Sequence, residues 1–167
     1  MHVVKPIAGL TKATVYRELN DQLAALFAGE RNGVANAANM SALLYQGLPN
    51  LNWVGFYLLQ GGELVLGPFQ GTVACVRIAL GQGVCGTAAQ RKETLVVADV
   101  NAFPGHIACD AASRSEIVVP LIQNGCLLGV LDMDSPQLGR FDREDSIGLN
   151  AAVDLLLQHS ELKKFLD

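Results

Sequence analysis

Several hallmarks of other protein classes are missing from this 167-residue chain. It has no run of lysine and arginine, and its formal net charge is −4 at pH 7. Nucleic-acid-binding domains normally carry a basic patch, so we expect no nucleic-acid partner. The apolar stretches are short and interrupted, which argues against a membrane span. Residues 1–6 lack the apolar core of a signal peptide. We therefore expect a cytoplasmic protein.

The four cysteines follow no spacing typical of a metal or thioredoxin-type motif. They occupy positions 75, 85, 109 and 126, and none forms a Cys-x-x-Cys pair. Without a secretory signal, a structural disulfide framework is not expected. Structural zinc sites normally include a tight cysteine pair among four ligands, so we expect no metal. The thiols are therefore inert core residues or catalytic groups.

A glycine-rich segment matches the dinucleotide-binding fingerprint only in form. Gly81–Gly86 has the Gly-x-Gly-x-x-Gly spacing between a predicted strand and a predicted helix. Asp99 follows thirteen positions after the last glycine, whereas an acidic residue is expected after about twenty. A tight turn into a short helix is the better interpretation, and we expect no cofactor.

Apolar periodicity predicts helices first, then strands, then a closing helix. One helix begins after Thr11 and ends near Gly29, and a second covers about 33–45. Alternating segments and turn residues then predict strands. The expected strands cover 53–59, 63–66, 75–80, 94–98, 117–122 and 127–131, with a short helix over 84–91.

The last helix is predicted to start at an Asp142 cap. Its expected buried stripe consists of Ile147, Ala151, Leu155, Leu162 and Phe165. No linker or repeat interrupts the chain. We predict one domain over residues 1–167, of the α+β class, with helices packed on a mainly antiparallel sheet.

Cys109 is the first candidate for chemistry. It lies in an irregular segment opened by Pro104-Gly105, with His106 three residues before it and Asp110 beside it. Reactive thiols need partial exposure and polar neighbours, and this segment offers both. Cys126, in contrast, leads an apolar run and is expected to be a small buried hydrophobe.

Carboxylates and aromatic residues suggest a pocket. Asp132 and Asp134 are two apart on a predicted strand, so they point to one face. The Asn124-Gly125 hairpin brings Glu116 near their level. Crowded carboxylates in a partly desolvated site raise at least one pKa, although a solvated turn is the alternative.

Trp53 and Tyr57 also share a strand face, with Gly55 between them. They are either a pocket wall, with a hollow at Gly55, or simply core.

Together these segments resemble the free methionine-(R)-sulfoxide reductase family, whose members are stand-alone GAF-domain enzymes. The resemblance covers about residues 10–160, and three cysteines each lie within a matching motif. The matching segments are 52–57, 67–71, 74–78, 83–88, 99–113, 115–121 and 129–136. Asn101, where histidine is expected, and Cys126 depart from the family pattern.

The resemblance implies a GAF-like fold, a homodimer and reduction of free methionine-R-sulfoxide, with recycling by thioredoxin. It implies that Cys109 attacks the sulfoxide and that Cys75 is the resolving thiol, with Cys85 in a backup or relay role. It also implies a set of substrate-binding residues, namely Glu116, Asp132, Asp134, Trp53 and Tyr57.

The chemistry of the residues agrees with this expectation. A thiolate can attack the sulfoxide sulfur while a carboxyl group such as Glu116 protonates the oxygen. The resulting sulfenic acid can condense with a second thiol. Whether Cys75 or Cys85 is the main resolver stays open, as does the identity of the proton donor. A non-catalytic GAF module that senses a small ligand, or a thiol redox sensor, is the alternative function.

Overall fold

The computed structural model describes residues 9–106 and 111–162. In chain order the elements are α1 (Lys12–Phe27), α2 (Gly33–Gly47), β1 (Trp53–Gln60), β2 (Glu63–Gly71), β3 (Arg77–Ala79), α3 (Gly83–Arg91), β4 (Leu95–Val97), a short 3₁₀ helix (Val100–Ala102), β5 (Ser115–Gln123), β6 (Cys126–Ser135) and α4 (Arg143–His159). None of the helices in this described part is long and apolar enough to cross a membrane.

The strands form one six-stranded sheet in the order β3-β2-β1-β6-β5-β4, and every neighbouring pair is antiparallel. Two hairpins connect neighbouring strands through residues with positive φ, Gly61-Gly62 and Asn124-Gly125. Positive φ at both central turn positions suits the right-handed twist of the strands. The predicted α+β fold with an antiparallel sheet is therefore confirmed.

Strand alternation gives the sheet two different apolar faces. One face packs against α1, α2 and α4, and includes Val54, Phe56 and Leu131. The opposite face packs against α3 and includes Trp53, Tyr57 and Val130. This second face is the smaller core, and the polar residues discussed below lie at its edge.

A buried charge network ties α1 to α4. The Asp145 carboxylate is fully buried, contacts Lys12 and Arg140, and accepts a hydrogen bond from the Tyr16 hydroxyl at 2.8 Å. It also accepts the backbone N–H of Asp142, which completes a capping box. Asp142 therefore caps α4 as predicted, and the buried charge is balanced by two cations.

Several sequence predictions need correction. The predicted stripe of α4 is partly wrong. Ile147 is 62% exposed and Ala151 is also exposed, whereas Leu162 is buried as predicted but lies beyond the end of the helix. The buried positions within α4 are Asp145, Gly148, Leu149, Ala152, Val153, Leu156 and Leu157. The expected position Phe165 lies outside the described residues. Cys126 is exposed because it begins β6 next to the hairpin turn. Cys75 lies in the loop before β3 and not in a strand.

Candidate active site

A cavity opens on the α3 face of the sheet, between the sheet, the start of α3 and the loop that connects β2 to β3. Its wall contains Trp53, Tyr57, Val73, Ala74, Ile78, Gln82, Gly83, Val84, Cys85, His106, Ser113, Glu116, Asp132 and Asp134. All five residues expected to bind substrate are in this set. No lysine or arginine lines it in the described part of the chain.

Strand register brings the three carboxyl groups together. Asp134 of β6 is directly opposite Glu116 of β5 on one side and Trp53 of β1 on the other. Asp132 is two residues earlier on β6 and therefore points to the same face. β6 continues to Ser135, so these aspartates belong to the strand and not to a solvated turn.

The site holds its carboxyl groups largely out of water. Glu116 and Asp132 are each only 6% exposed. Burial, with the neighbouring charges of Asp132 and Asp134, raises the pKa of Glu116 well above its usual value. Burial raises the pKa of Asp132 to about 6, although the neighbouring polar groups of Cys85 and Glu116 oppose this shift. The cluster can therefore retain a proton near neutral pH.

Cys85 contacts this cluster from the first turn of α3. Its buried sulfur is 3.7 Å from Glu116 Oε1. Burial, together with the charges of Asp132 and Glu116, raises the pKa of the Cys85 thiol well above its usual value. A protonated, enclosed thiol is a poor nucleophile, so this environment favours a Cys85 thiol that donates to the carboxyl group.

The aromatic wall is a stack of three rings. The Trp53 ring lies 5.8 Å from that of Tyr57 and 5.4 Å from that of Phe69, at interplanar angles of 24° and 14°. The expected hollow at Gly55 is wrong. A Cβ placed there would lie 2.4 Å from Phe69 Cβ and 2.5 Å from the Trp53 ring. The Trp53 ring therefore packs directly against Gly55, and a larger residue at this position would clash with it.

The same aromatic residues hold the loop that carries Cys75. Trp53 Nε1 donates to the Thr72 carbonyl at 3.0 Å, and the Tyr57 hydroxyl donates to the Cys75 carbonyl at 3.1 Å. Burial and the charge of Asp132 raise the pKa of Tyr57, which keeps this donor protonated. The pocket wall and the Cys75 loop are therefore mechanically connected.

The remaining cysteines differ in state. Cys75 is half-buried and disulfide-bonded, whereas Cys85 and Cys126 are free thiols. The predicted nucleophile Cys109 and its neighbour Asp110 lie outside the described residues. His106 lines the cavity, and partial burial lowers its pKa.

Two residues at this site were not predicted from the sequence, namely Ser113, which lines the cavity, and Phe69, which packs against Trp53. Phe69 extends the aromatic stack from β2, a strand predicted to end at residue 66 but continuing to Gly71. Ser113 is buried and accepts a hydrogen bond from Asn52 Nδ2 at 3.0 Å. Neither residue carries a sequence signal of its own, although both fall within the segments that resemble the reductase family.

Comparisons with known proteins agree with the fold. The GAF domain model matches residues 2–158. The chain is 52% identical over 159 residues to the free methionine-R-sulfoxide reductase of Escherichia coli (strain K12), covering 93% of this chain and 96% of that protein. It is 45% identical over 157 residues to the yeast (Saccharomyces cerevisiae) protein of the same name, covering 89% and 87%.

A solved structure gives the same result. The Neisseria meningitidis free methionine-R-sulfoxide reductase, in complex with its substrate, superimposes with a TM-score of 0.92 at 45% identity and covers 99% of each chain. The chain therefore belongs to the GAF domain family and, within it, to the free methionine-R-sulfoxide reductase family.

The raised pKa of Asp132 predicts how the free energy of unfolding depends on pH. A carboxyl group whose pKa is raised by folding stabilises the protein at acid pH, and this contribution is lost as pH rises through about 6. Asp132→Asn should therefore stabilise the protein at pH 8 by up to about 3 kcal/mol, with a smaller gain at pH 5. Urea unfolding at both pH values measures this difference. A loss of stability at both would contradict it.

Proposed function

We propose that this protein reduces free L-methionine (R)-S-oxide to L-methionine. The observation that carries the proposal is the cavity itself, in which buried carboxyl groups face a stacked aromatic wall. Its chain is about half identical to proteins named as reductases of this compound. An anionic cluster beside an aromatic wall complements an amino acid with a cationic ammonium and an apolar S-methyl group.

The carboxyl groups account for a preference for the free amino acid. Asp132 and Asp134 bind the substrate ammonium, and Trp53 with Tyr57 holds the S-methyl group. A methionine within a peptide has no ammonium at this position. Its neutral amide would leave the buried anion without a partner, which costs about 1–3 kcal/mol or more when the group is charged.

The reaction is a two-electron reduction at sulfur. The Cys109 thiolate attacks the sulfoxide sulfur while Glu116 protonates the oxygen. Transfer of that oxygen to Cys109 releases methionine and leaves a sulfenic acid. The Cys75 thiol then condenses with the sulfenic acid, water leaves, and a disulfide forms. A dithiol reductant, for which we propose thioredoxin, returns both cysteines to thiols and becomes a disulfide itself.

Cys75 is the better candidate than Cys85 for the resolving thiol. It is disulfide-bonded while Cys85 is free, and it lies in a loop with partial solvent access. Cys85 is 4% exposed and directed toward Glu116, so we assign it to the carboxyl cluster. The proposal also includes a single GAF domain that acts in the cytoplasm as a homodimer.

Replacement of the proposed nucleophile tests the reaction. Cys109→Ser should reduce turnover of free methionine-R-sulfoxide to background, because a serine hydroxyl is not ionised at neutral pH and cannot be oxidised in this way. Methionine formation measured by chromatography, with dithiothreitol as reductant, gives the result. The exposed Cys126→Ser variant is the matched control and should keep its activity. Wild-type turnover by Cys109→Ser would exclude the mechanism.

Replacement of the resolving thiol separates the two halves of the cycle. Cys75→Ser should still form one methionine per chain in a single-turnover assay, since Cys109 alone can accept the oxygen. Its thioredoxin-dependent cycling should fall at least about tenfold, because no intramolecular disulfide forms. Unchanged cycling by Cys75→Ser would transfer the resolving role to Cys85.

A further inference from the structure

Cys85, Glu116 and Asp132 bring one sulfur and two carboxylate oxygens to within 4.8 Å of one another at the buried side of the cavity. The three residues come from α3, β5 and β6. We propose that these side chains form a binding site for a thiophilic divalent cation, and that Zn²⁺ is the ion they fit best. The site stands on its geometry and does not depend on the proposed reaction.

The spacing of the ligand atoms suits zinc. With Zn–S near 2.3 Å and Zn–O near 2.0–2.2 Å, a tetrahedral ion places sulfur and oxygen ligands roughly 3.5–3.7 Å apart. The distance between Cys85 Sγ and Glu116 Oε1 is 3.7 Å. These two ligands therefore already lie at the edge length of a zinc tetrahedron, and no backbone movement is required to bring them together.

An unsatisfied oxygen points to the same ligand. Asp132 Oδ1 is buried and has no hydrogen-bond partner among the described residues. Buried polar oxygens normally have a partner, and an unpaired carboxylate oxygen inside a protein carries a large desolvation cost. Because no lysine or arginine of the described chain lines the cavity, a bound cation would supply the missing positive charge.

One sulfur and two carboxylate oxygens favour some cations over others as the ligand. Mg²⁺ takes near-octahedral oxygen coordination, and Ca²⁺ takes six to eight oxygens. A thiolate with two carboxylates instead suits a softer ion with four ligands. Three protein ligands leave the fourth position open for water, and the cavity has a water-accessible volume of about 40 Å³, whereas about 10–15 Å³ holds one water. Binding would release to solvent the Cys85 thiol proton and the proton retained by the carboxyl cluster.

Zinc bound here would block the proposed substrate site. Glu116 and Asp132 would be coordinated and unavailable to the amino acid, so Zn²⁺ should inhibit competitively with methionine-R-sulfoxide. This consequence rests on the proposed function, whereas metal binding itself does not. The two are distinguishable because binding is measured without turnover.

A protein with Cys85 as its single thiol tests the site. In the Cys75→Ser/Cys109→Ser/Cys126→Ser variant, Co²⁺ should produce a thiolate-to-cobalt charge-transfer band and the intense visible bands of a tetrahedral ion. One equivalent of Zn²⁺ should remove both. Additional Cys85→Ser replacement should abolish the charge-transfer band. It should also weaken Zn²⁺ binding, measured by calorimetry, by more than the roughly 10- to 100-fold typical of losing an outer-shell group.

Asp134→Asn in the same single-thiol background is the matched control. Asp134 lines the same cavity two residues along β6 but is not one of the three ligands, so Zn²⁺ affinity should change less than about tenfold. Glu116→Gln should weaken binding as Cys85→Ser does. Absence of 1:1 binding, or equal weakening by Asp134→Asn and Glu116→Gln, would overturn the proposal.

Circular dichroism identifies any variant that does not fold. The disulfide-bonded form of the Cys126→Ser protein provides a second measurement, because Cys75 is then unable to bind metal. The same cobalt band should form there, and its absence from this folded protein would also refute the site.

Discussion

Three carboxyl groups crowd onto one face of the β1–β6–β5 ribbon, and two of them are almost completely withdrawn from water. Desolvation and mutual repulsion disfavour their ionisation, so the cluster retains a proton. A bound cation could replace this proton and offset the negative charge. This constraint explains the protonated Cys85 thiol beside it. It is also the reason we propose a small cationic group, the ammonium of an amino acid or a metal ion, as the ligand of this cavity.

The aromatic wall connects this cluster to the loop that carries the disulfide-bonded Cys75. Trp53 and Tyr57 face the cavity with their rings while their polar ends hold the backbone at Thr72 and Cys75. The wall of the cavity and the loop of a disulfide-bonded cysteine thus share the same two side chains. Proximity of this kind is the contribution a rigid scaffold makes to a thiol reaction.

Much of this arrangement was accessible from the sequence, because it depends on local rules. The Asn124-Gly125 turn brings Glu116 near the level of Asp134, and alternation places Asp132 on the same face as Asp134. The turn alone would pair Glu116 with Met133, and a register shift between Leu121 and Ile122, which the sequence does not predict, moves the pairing by one residue to Asp134. The packing of Trp53 over Gly55 could not be predicted, since it depends on Phe69 from another strand. The α4 stripe was misplaced for a similar reason, since contacts with α1 and the sheet determine which face is buried. Contact between Cys85 and Glu116 joins residues 31 apart in sequence, and no short motif encodes it.

The number of free thiols lost on exposure to sulfoxide reports directly on the proposed reaction. Fully reduced protein would be incubated with free methionine-R-sulfoxide, the free S diastereomer, a peptide containing methionine-R-sulfoxide, or peroxide. Among the sulfoxides, only the free R form is expected to yield methionine and to remove two thiols per chain, because sulfenic acid formation is followed by disulfide closure. Equal thiol loss with the peptide, or loss with peroxide but with none of the sulfoxides, would contradict the proposed reaction.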